Sequence, residues 1–249
     1  MFLSVPPRAL KPRSQGQTMV IDTGYGLSTL KDAFEASSAF IDQLKLGWGT
    51  SLVCPHLQAK VALCEDYDLV PTFGGTLFEI SFLQNKIDDY IAFAKESGIK
   101  KIEVSDGSIE IERKDKLSLI ERLSGTFEVQ SEYGSKDPDQ IGVPQDWVKH
   151  IKEELSAGSS KVVCEGRESG SSGMYRANNE LRTGLIAEII DHINPENLIW
   201  EAPLKHQQVW FIKKFGPDVN LGNIALKDVI SLETLRLGLR CDTLNHFHT

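Results

Sequence analysis

Residues Val162 to Gly173 read VVCEGRESGSSG, an apolar stretch that runs into Glu165, Arg167 and Glu168 and then into glycines and serines. Side chains alternate faces along a strand, so Glu165 and Arg167 are expected on the same side, an acid and a base beside a flexible loop. Alone, such a pair reads equally well as a surface ion pair of little energetic weight. Other apolar stretches in this chain end the same way. Asp22 closes IDTG, Lys45 sits in LKLGWGTS, Glu79 in FGGTLFE, and Glu103, Ser105 and Asp106 in IEVSDGS. Glu132 and Lys136 fall in SEYGSK, Glu201 in WEAP, and Asn220, Gly222 and Asn223 in NLGN.

Glu132, Glu165 and Glu201 lie near the ends of three successive expected strands, where their side chains could meet. Three ionised carboxylates share a small volume only if a cation compensates them, and an all-oxygen ligand set suits magnesium. The competing reading pairs these acids with Lys45, Lys136 or Arg167 and needs no metal. Those three cations are also the groups that would receive an anionic substrate. Arginine suits bidentate capture of phosphate or carboxylate, and a lysine of lowered pKa suits proton transfer or imine formation. The glycine turns GWGT, FGGT and NLGN could bring backbone N–H groups to an anion. The histidines fall in expected helices or in the tail and point to no zinc site or histidine-centred triad.

The elements that must position these groups alternate. Strands are expected at 19–23, 40–46, 69–73, 101–105, 127–133, 161–166, 198–202 and 219–221. Helices are expected at 28–38, 56–67, 82–97, 114–123, from Pro144 onward, 180–193, 206–215 and 226–238, with Ile87, Ile91 and Ala94 repeating at helical spacing. Eight strand-helix units predict an α/β fold, a single-domain TIM (β/α)8 barrel spanning 18–249, behind an N-terminal arm at 1–17. A barrel of this kind places its active site at the carboxyl ends of the strands, where the charged junctions fall. No GxGxxG or GxxxxGK[ST] fingerprint supports a nucleotide-binding open sheet.

The chain has 249 residues, 41% hydrophobic and 25% charged, with a formal net charge of -8. That balance argues against a nucleic-acid binder and against a polybasic membrane patch. Four scattered cysteines, with no CxxC pair, fit a reducing compartment. No apolar run reaches the length of a membrane span, and the first residues lack the apolar core of a signal peptide, so a cytoplasmic location is expected.

Taken together, KPRSQGQTMVIDTGYG, FIDQLKLGWGTS, FGGTLFE, IEVSDGSI, CEGRESGSSGMY, WEAP followed by KHQQVWFIKKFGPDVNLGNI, and LETLRLGLRCDTL resemble the phosphosulfolactate synthase family, over about Lys11 to Leu244. That resemblance implies a TIM barrel and the magnesium-dependent addition of sulfite to phosphoenolpyruvate, giving (2R)-phospho-3-sulfolactate. In methanogens the reaction is an early step toward coenzyme M, and in bacteria relatives are linked to sulfolactate. A plant branch, the heat-stress-associated 32-kDa proteins, is linked to heat tolerance.

The family's catalytic lysine lies in a segment similar to EVGKK, which matches Glu132-Tyr133-Gly134-Ser135-Lys136. The resemblance thus implies Lys136 as general acid, with Ser135 replacing the family's first lysine. Arg167 is expected to act beside Lys136, and Lys45, Arg167, Gly222 and Asn223 are expected to bind substrate anions. Glu132, Glu165 and Glu201 are expected to hold or orient Mg2+. The expected partners are phosphoenolpyruvate and sulfite, with a homo-oligomer as the assembly. Two alternatives stand beside this: a barrel without turnover that acts through protein interactions, and an aldolase-type lyase using Lys136 or Lys45 as an imine-forming nucleophile.

Overall fold

A computed structural model describes residues 2–135, 142–167 and 169–248. Eight parallel strands, β1 (Thr18–Asp22), β2 (Gln43–Leu46), β3 (Val70–Phe73), β4 (Lys101–Val104), β5 (Glu128–Tyr133), β6 (Lys161–Cys164), β7 (Leu198–Glu201) and β8 (Leu221–Ala225), pair in chain order. β8 returns to pair with β1 and closes the cylinder, so the fold is the expected TIM barrel.

Around it run α1 (Leu27–Ser37), α2 (Thr50–Val53), α3 (Leu57–Asp66), α4 (Gly75–Leu83), α5 (Ile87–Glu96) and α6 (Arg113–Ser124). The second half adds α7 (Pro144–Ser156), α8 (Thr183–His192), α9 (Lys205–Phe215), α10 (Val229–Arg236) and α11 (Cys241–Phe247).

The strands are short and almost wholly buried, yet β2 (QLKL), β4 (KIEV) and β5 (EVQSEY) alternate: their apolar residues face the helices and their charged and amide residues the barrel interior. Val20, Leu44, Val162, Cys164, Leu198 and Trp200 pack in one core cluster with helix residues such as Leu30, Phe34, Ile186 and Phe211. Leu46, Phe73, Ile102, Val104 and Val129 do the same with Tyr90, Ala94, Ile120 and Leu123. Met19, Val163 and Ile199, one residue out of phase with those neighbours, form a separate cluster. Strand alternation assigns it to the barrel interior. One step further along β2, β4, β5 and β7 the same inward phase reaches Lys45, Glu103, Glu132 and Glu201. Each is at most 4% exposed.

Two expected elements are corrected. The helix expected at 82–97 is two helices, α4 and α5, because Asn85 takes a left-handed backbone (φ 55°) between them. Glu79, expected in a junction loop, therefore sits on α4. The eighth strand, expected at 219–221, runs from Leu221 to Ala225 and contains the NLGN glycine and second asparagine rather than ending before them. Thr18 pairs with Leu221 but Val20 pairs with Ile224, so β8 carries one extra residue, a β-bulge. Asn223 stands in that bulge at φ 54°.

The residues ahead of β1 tie to the barrel's amino-terminal end. Arg13 Nε lies 2.9 Å from Asp42 Oδ1, Lys161 Nζ donates to Ser14 O at 2.8 Å, and Arg8 Nε lies 3.0 Å from Glu233 Oε1. This end is bound up by its own chain, and the opposite mouth is left for chemistry. Among the described residues, no helix is long and apolar enough to cross a membrane.

Candidate active site

A pocket of about 170 Å³ opens at the carboxyl end of the barrel, lined by Ile21, Lys45, Gly47, Trp48, Gly74, Gly75, Thr76, Glu103, Ser108, Glu132, Glu165, Arg167, Glu201 and Asn223. All eight strands contribute, at their ends or in the residues just beyond. Lys45, Glu132, Glu165, Arg167, Glu201 and Asn223 were expected there, and all six line the pocket. Gly222 does not. It lies a layer below, where a Cβ would meet Met19 Cε at 2.6 Å and Ile199 Cγ2 at 3.1 Å, so its lack of a side chain serves packing of the barrel interior. Lys136 lies outside the described residues.

Lys45 is the hub. Its ammonium donates to Glu201 Oε1 at 2.8 Å and Glu103 Oε2 at 3.4 Å, and lies 4.0 Å from Glu132 Oε2. Burial lowers the pKa of this lysine, but Glu103, Glu201 and Glu132 together outweigh it and hold the ammonium well above the ordinary lysine value. Burial pushes Glu103 the other way, to about 8, against the pull of Lys45 and helped by Glu132 and Glu201. The expected pairing of acids with Lys45 is therefore present, and the acids outnumber it. Among the described residues, four carboxyl groups and two cationic side chains line the pocket.

Each carboxylate is oriented by a fixed donor. Glu201 Oε2 accepts from the Gly166 N–H at 2.9 Å, and Glu103 Oε1 from the Gly75 N–H at 2.8 Å. Ser105 Oγ lies 2.8 Å from Glu132 Oε1 and 2.6 Å from Glu79 Oε1. Glu165 Oε1 accepts from the Arg167 N–H at 2.5 Å. β6 ends at Cys164, and Arg167 adopts a left-handed backbone (φ 56°). The two residues thus share the pocket through a turn rather than through strand alternation. Gly173 (φ 57°) closes over this turn. A Cβ there would fall 2.2 Å from Glu165 O, so only glycine permits the approach.

Lys116 was not singled out in the sequence. It is fully buried, and its ammonium donates to Asp106 Oδ1 at 2.7 Å and Glu132 O at 2.8 Å and lies 2.9 Å from Glu154 Oε1. It thus locks the end of β5 to the loop after β4 and to α7. A signal existed: Lys116, Ile120 and Leu123 share one face of α6, which turns the lysine inward. Thr76 also went unremarked, because the FGGT turn reads as a loop and not as the start of a helix.

Among the described residues, no group of three or more His, Cys, Asp or Glu side chains is disposed to hold a metal ion. Glu201 is committed through both oxygens, to Lys45 and to the Gly166 N–H. The donor chemistry still fits a hard cation that keeps waters and substrate oxygens as ligands, since such an ion needs only one or two carboxylates.

A barrel and an acidic pocket belong to many enzymes; the comparison of sequences decides among them. Residues 6–242 match the model of the family described as ComA, (2R)-phospho-3-sulfolactate synthase. The chain belongs to the phosphosulfolactate synthase family. It is 43% identical over 245 residues to the phosphosulfolactate synthase of Methanothermobacter thermautotrophicus, covering 96% of this chain and 95% of that one. It is 42% identical to the Bacillus subtilis phosphosulfolactate synthase, covering 97% of each chain. Similarity to the Arabidopsis thaliana protein HEAT-STRESS-ASSOCIATED 32 is lower, 21% identity over 92% of this chain and 88% of that one. The phosphosulfolactate synthase family supports an enzyme acting on small molecules.

Proposed function

We propose that this chain is a phosphosulfolactate synthase that adds sulfite to C3 of phosphoenolpyruvate, with magnesium. The observation that carries the reading is the Lys45 cage: an ammonium held among buried carboxyl groups at the pocket floor, in a chain that belongs to this family. In the reaction the sulfite sulfur lone pair forms the C–S bond at C3. The double-bond electrons move to C2 and spread over the adjacent carboxylate, and a proton then arrives at C2. The negative charge that develops there needs cations that do not reorganise. Lys45, held by Glu201 and Glu103, supplies one, and Arg167 supplies another from the opposite wall. Delivery of the C2 proton falls to Lys136, on its match to the family's lysine.

Glu132 and Glu165 are the residues that would hold magnesium, with Glu201 orienting Lys45 instead. The ion, when bound, supplies electrostatic stabilisation of anionic oxygens. The imine-forming alternative loses one of its two nucleophiles, because an ammonium held above the ordinary lysine value is a poor amine.

The deciding assay follows phosphoenolpyruvate consumption against sulfite, with and without chelator. Turnover that requires both sulfite and magnesium supports the reading. Turnover unaffected by chelator removes the metal, and the absence of sulfite-dependent turnover removes the reaction.

A further inference from the structure

The turn that presents Arg167 to the pocket is held from behind by a different unit of the barrel. In the segment 165–182, between β6 and α8, the later part is fastened to strand ends: the Met174 N–H donates to Glu165 O at 3.0 Å, and the Tyr175 hydroxyl donates to Glu201 O. The earlier part closes a turn in which the Gly170 N–H donates to Arg167 O at 3.2 Å. Arg167 is exposed at the mouth, and Gly170, at φ 65°, is the buried end of this turn.

Gln207 meets the turn from the start of α9. Its side chain is fully buried. Nε2 donates to Gly170 O at 3.0 Å, and Oε1 accepts from the Leu204 N–H at 3.1 Å, capping the helix. The two residues are also in close contact, since a Cβ on Gly170 would fall 2.4 Å from Gln207 Nε2 and 2.8 Å from Oε1. Asn179 Nδ2 donates to Gly170 O as well, at 3.0 Å, but Asn179 belongs to the same loop and moves with it.

Gln207 is the third residue of α9. At that position glutamate and glutamine both reach back to the N-cap amide, so glutamate would cap this helix equally well. A carboxylate accepts hydrogen bonds only, whereas a side-chain amide also donates. The Gln207 amide group therefore serves the loop after β6, and its oxygen alone serves α9.

We propose that Gln207 is a positioning residue: through Gly170 it holds the turn that sets Arg167 at the pocket wall, and so governs binding of the anionic substrate from outside the pocket. This rests on the reading of the pocket as a phosphosulfolactate synthase site in which Arg167 is one of the fixed cations.

Gln207→Glu separates the two bonds. It keeps the acceptor for the Leu204 N–H, and an acid in the first turn suits the helix dipole, while it sets a carboxylate oxygen against Gly170 O. Hydrogen exchange resolved to single amides is expected to show Gly170 exchanging at least tenfold faster and Leu204 unchanged. Phosphoenolpyruvate affinity, titrated by calorimetry without sulfite, falls at least tenfold. In an Arg167→Ala background the same change alters that affinity less than twofold, because the residue through which it acts is gone. Gly170→Ala forces the turn off Gln207 from the loop side without placing a charge in the core, and repeats the loss.

Unchanged exchange at Gly170 in Gln207→Glu overturns the proposal. So does an equal affinity loss with and without Arg167, which would make Gln207 a purely structural residue. If the exchange and affinity results are as expected and no sulfite-dependent turnover occurs, the positioning role stands and the reaction assigned to the pocket fails. If the wild-type chain binds no phosphoenolpyruvate, the substrate assignment fails and the control of its binding fails with it.

Discussion

Lys45 Nζ donates to Glu201 Oε1 across 2.8 Å, although the two residues are 156 positions apart in the chain. β2 and β7 do not touch in the sheet, so the contact crosses the interior of the barrel rather than following its wall. A charge pair there contributes little to stability that an apolar core would not supply. In the proposed reaction it fixes a cation where the substrate anion enters.

Lys45→Met leaves Glu103 and Glu201 buried without their cation. Breaking a buried pair in this way costs about 3–5 kcal/mol, and loss of one fixed charge from the reacting centre lowers kcat by roughly 10²–10³. Chemical denaturation and steady-state rates read the two effects separately. A variant with near wild-type kcat would remove Lys45 from the chemistry.

Glu103 titrates at about 8 in the folded chain, above the ordinary carboxylate value, because burial and its acidic neighbours favour the proton. A raised folded pKa means that its contribution to stability is fully present at acidic pH and is lost as pH rises through 8. Above that point the pocket also gains a negative charge, so the KM for an anionic substrate rises. Glu103→Gln removes this limb from both the stability and the KM profiles. A limb that persists in the variant belongs to another group.

Gly173→Ala forces a Cβ to 2.2 Å from Glu165 O at a left-handed backbone position. The conformational term alone is about 1–2 kcal/mol, and the clash adds to it by displacing the turn that carries Glu165 and Arg167. Melting temperature and kcat are expected to fall together. Equal kcat in the two proteins would show that this turn can move without consequence.

Lys116→Met removes the donor to Glu132 O and leaves Asp106 and Glu154 without their shared cation. A loss of about 3 kcal/mol follows from hydrogen bonds to charged groups of this kind. Below its melting range the variant is expected to keep its KM for phosphoenolpyruvate and lose kcat, since the bond holds the end of β5 and not the substrate. An unchanged kcat would make the contact purely structural.

Much of the barrel was readable from the alternation of strand and helix segments, and six of the expected pocket residues were readable because junctions at one end of the units carry charge while those at the other carry turns. Gly222 and the helix over FGGTLFE were misread for one reason: glycine and asparagine look like turn formers wherever they occur. In β8 they are absorbed by a bulge, and Gly75 is the first residue of a helix, glycine there because a Cβ would meet Ser105 Cβ at 2.4 Å. Local sequence does not record what lies across the barrel.

The sequence by itself determined which residue types were available and in which strand phase, since alternation along a strand is a local property of the chain. Only the tertiary structure decided which of them meet. Closure of β8 on β1 brought Lys45 to Glu201, and the extra residue in β8 brought Asn223 into the pocket. The inward phase of α6 put Lys116 under Glu132. Those distances follow from hydrogen-bond register and packing summed around a closed ring, and no short stretch of chain contains that sum.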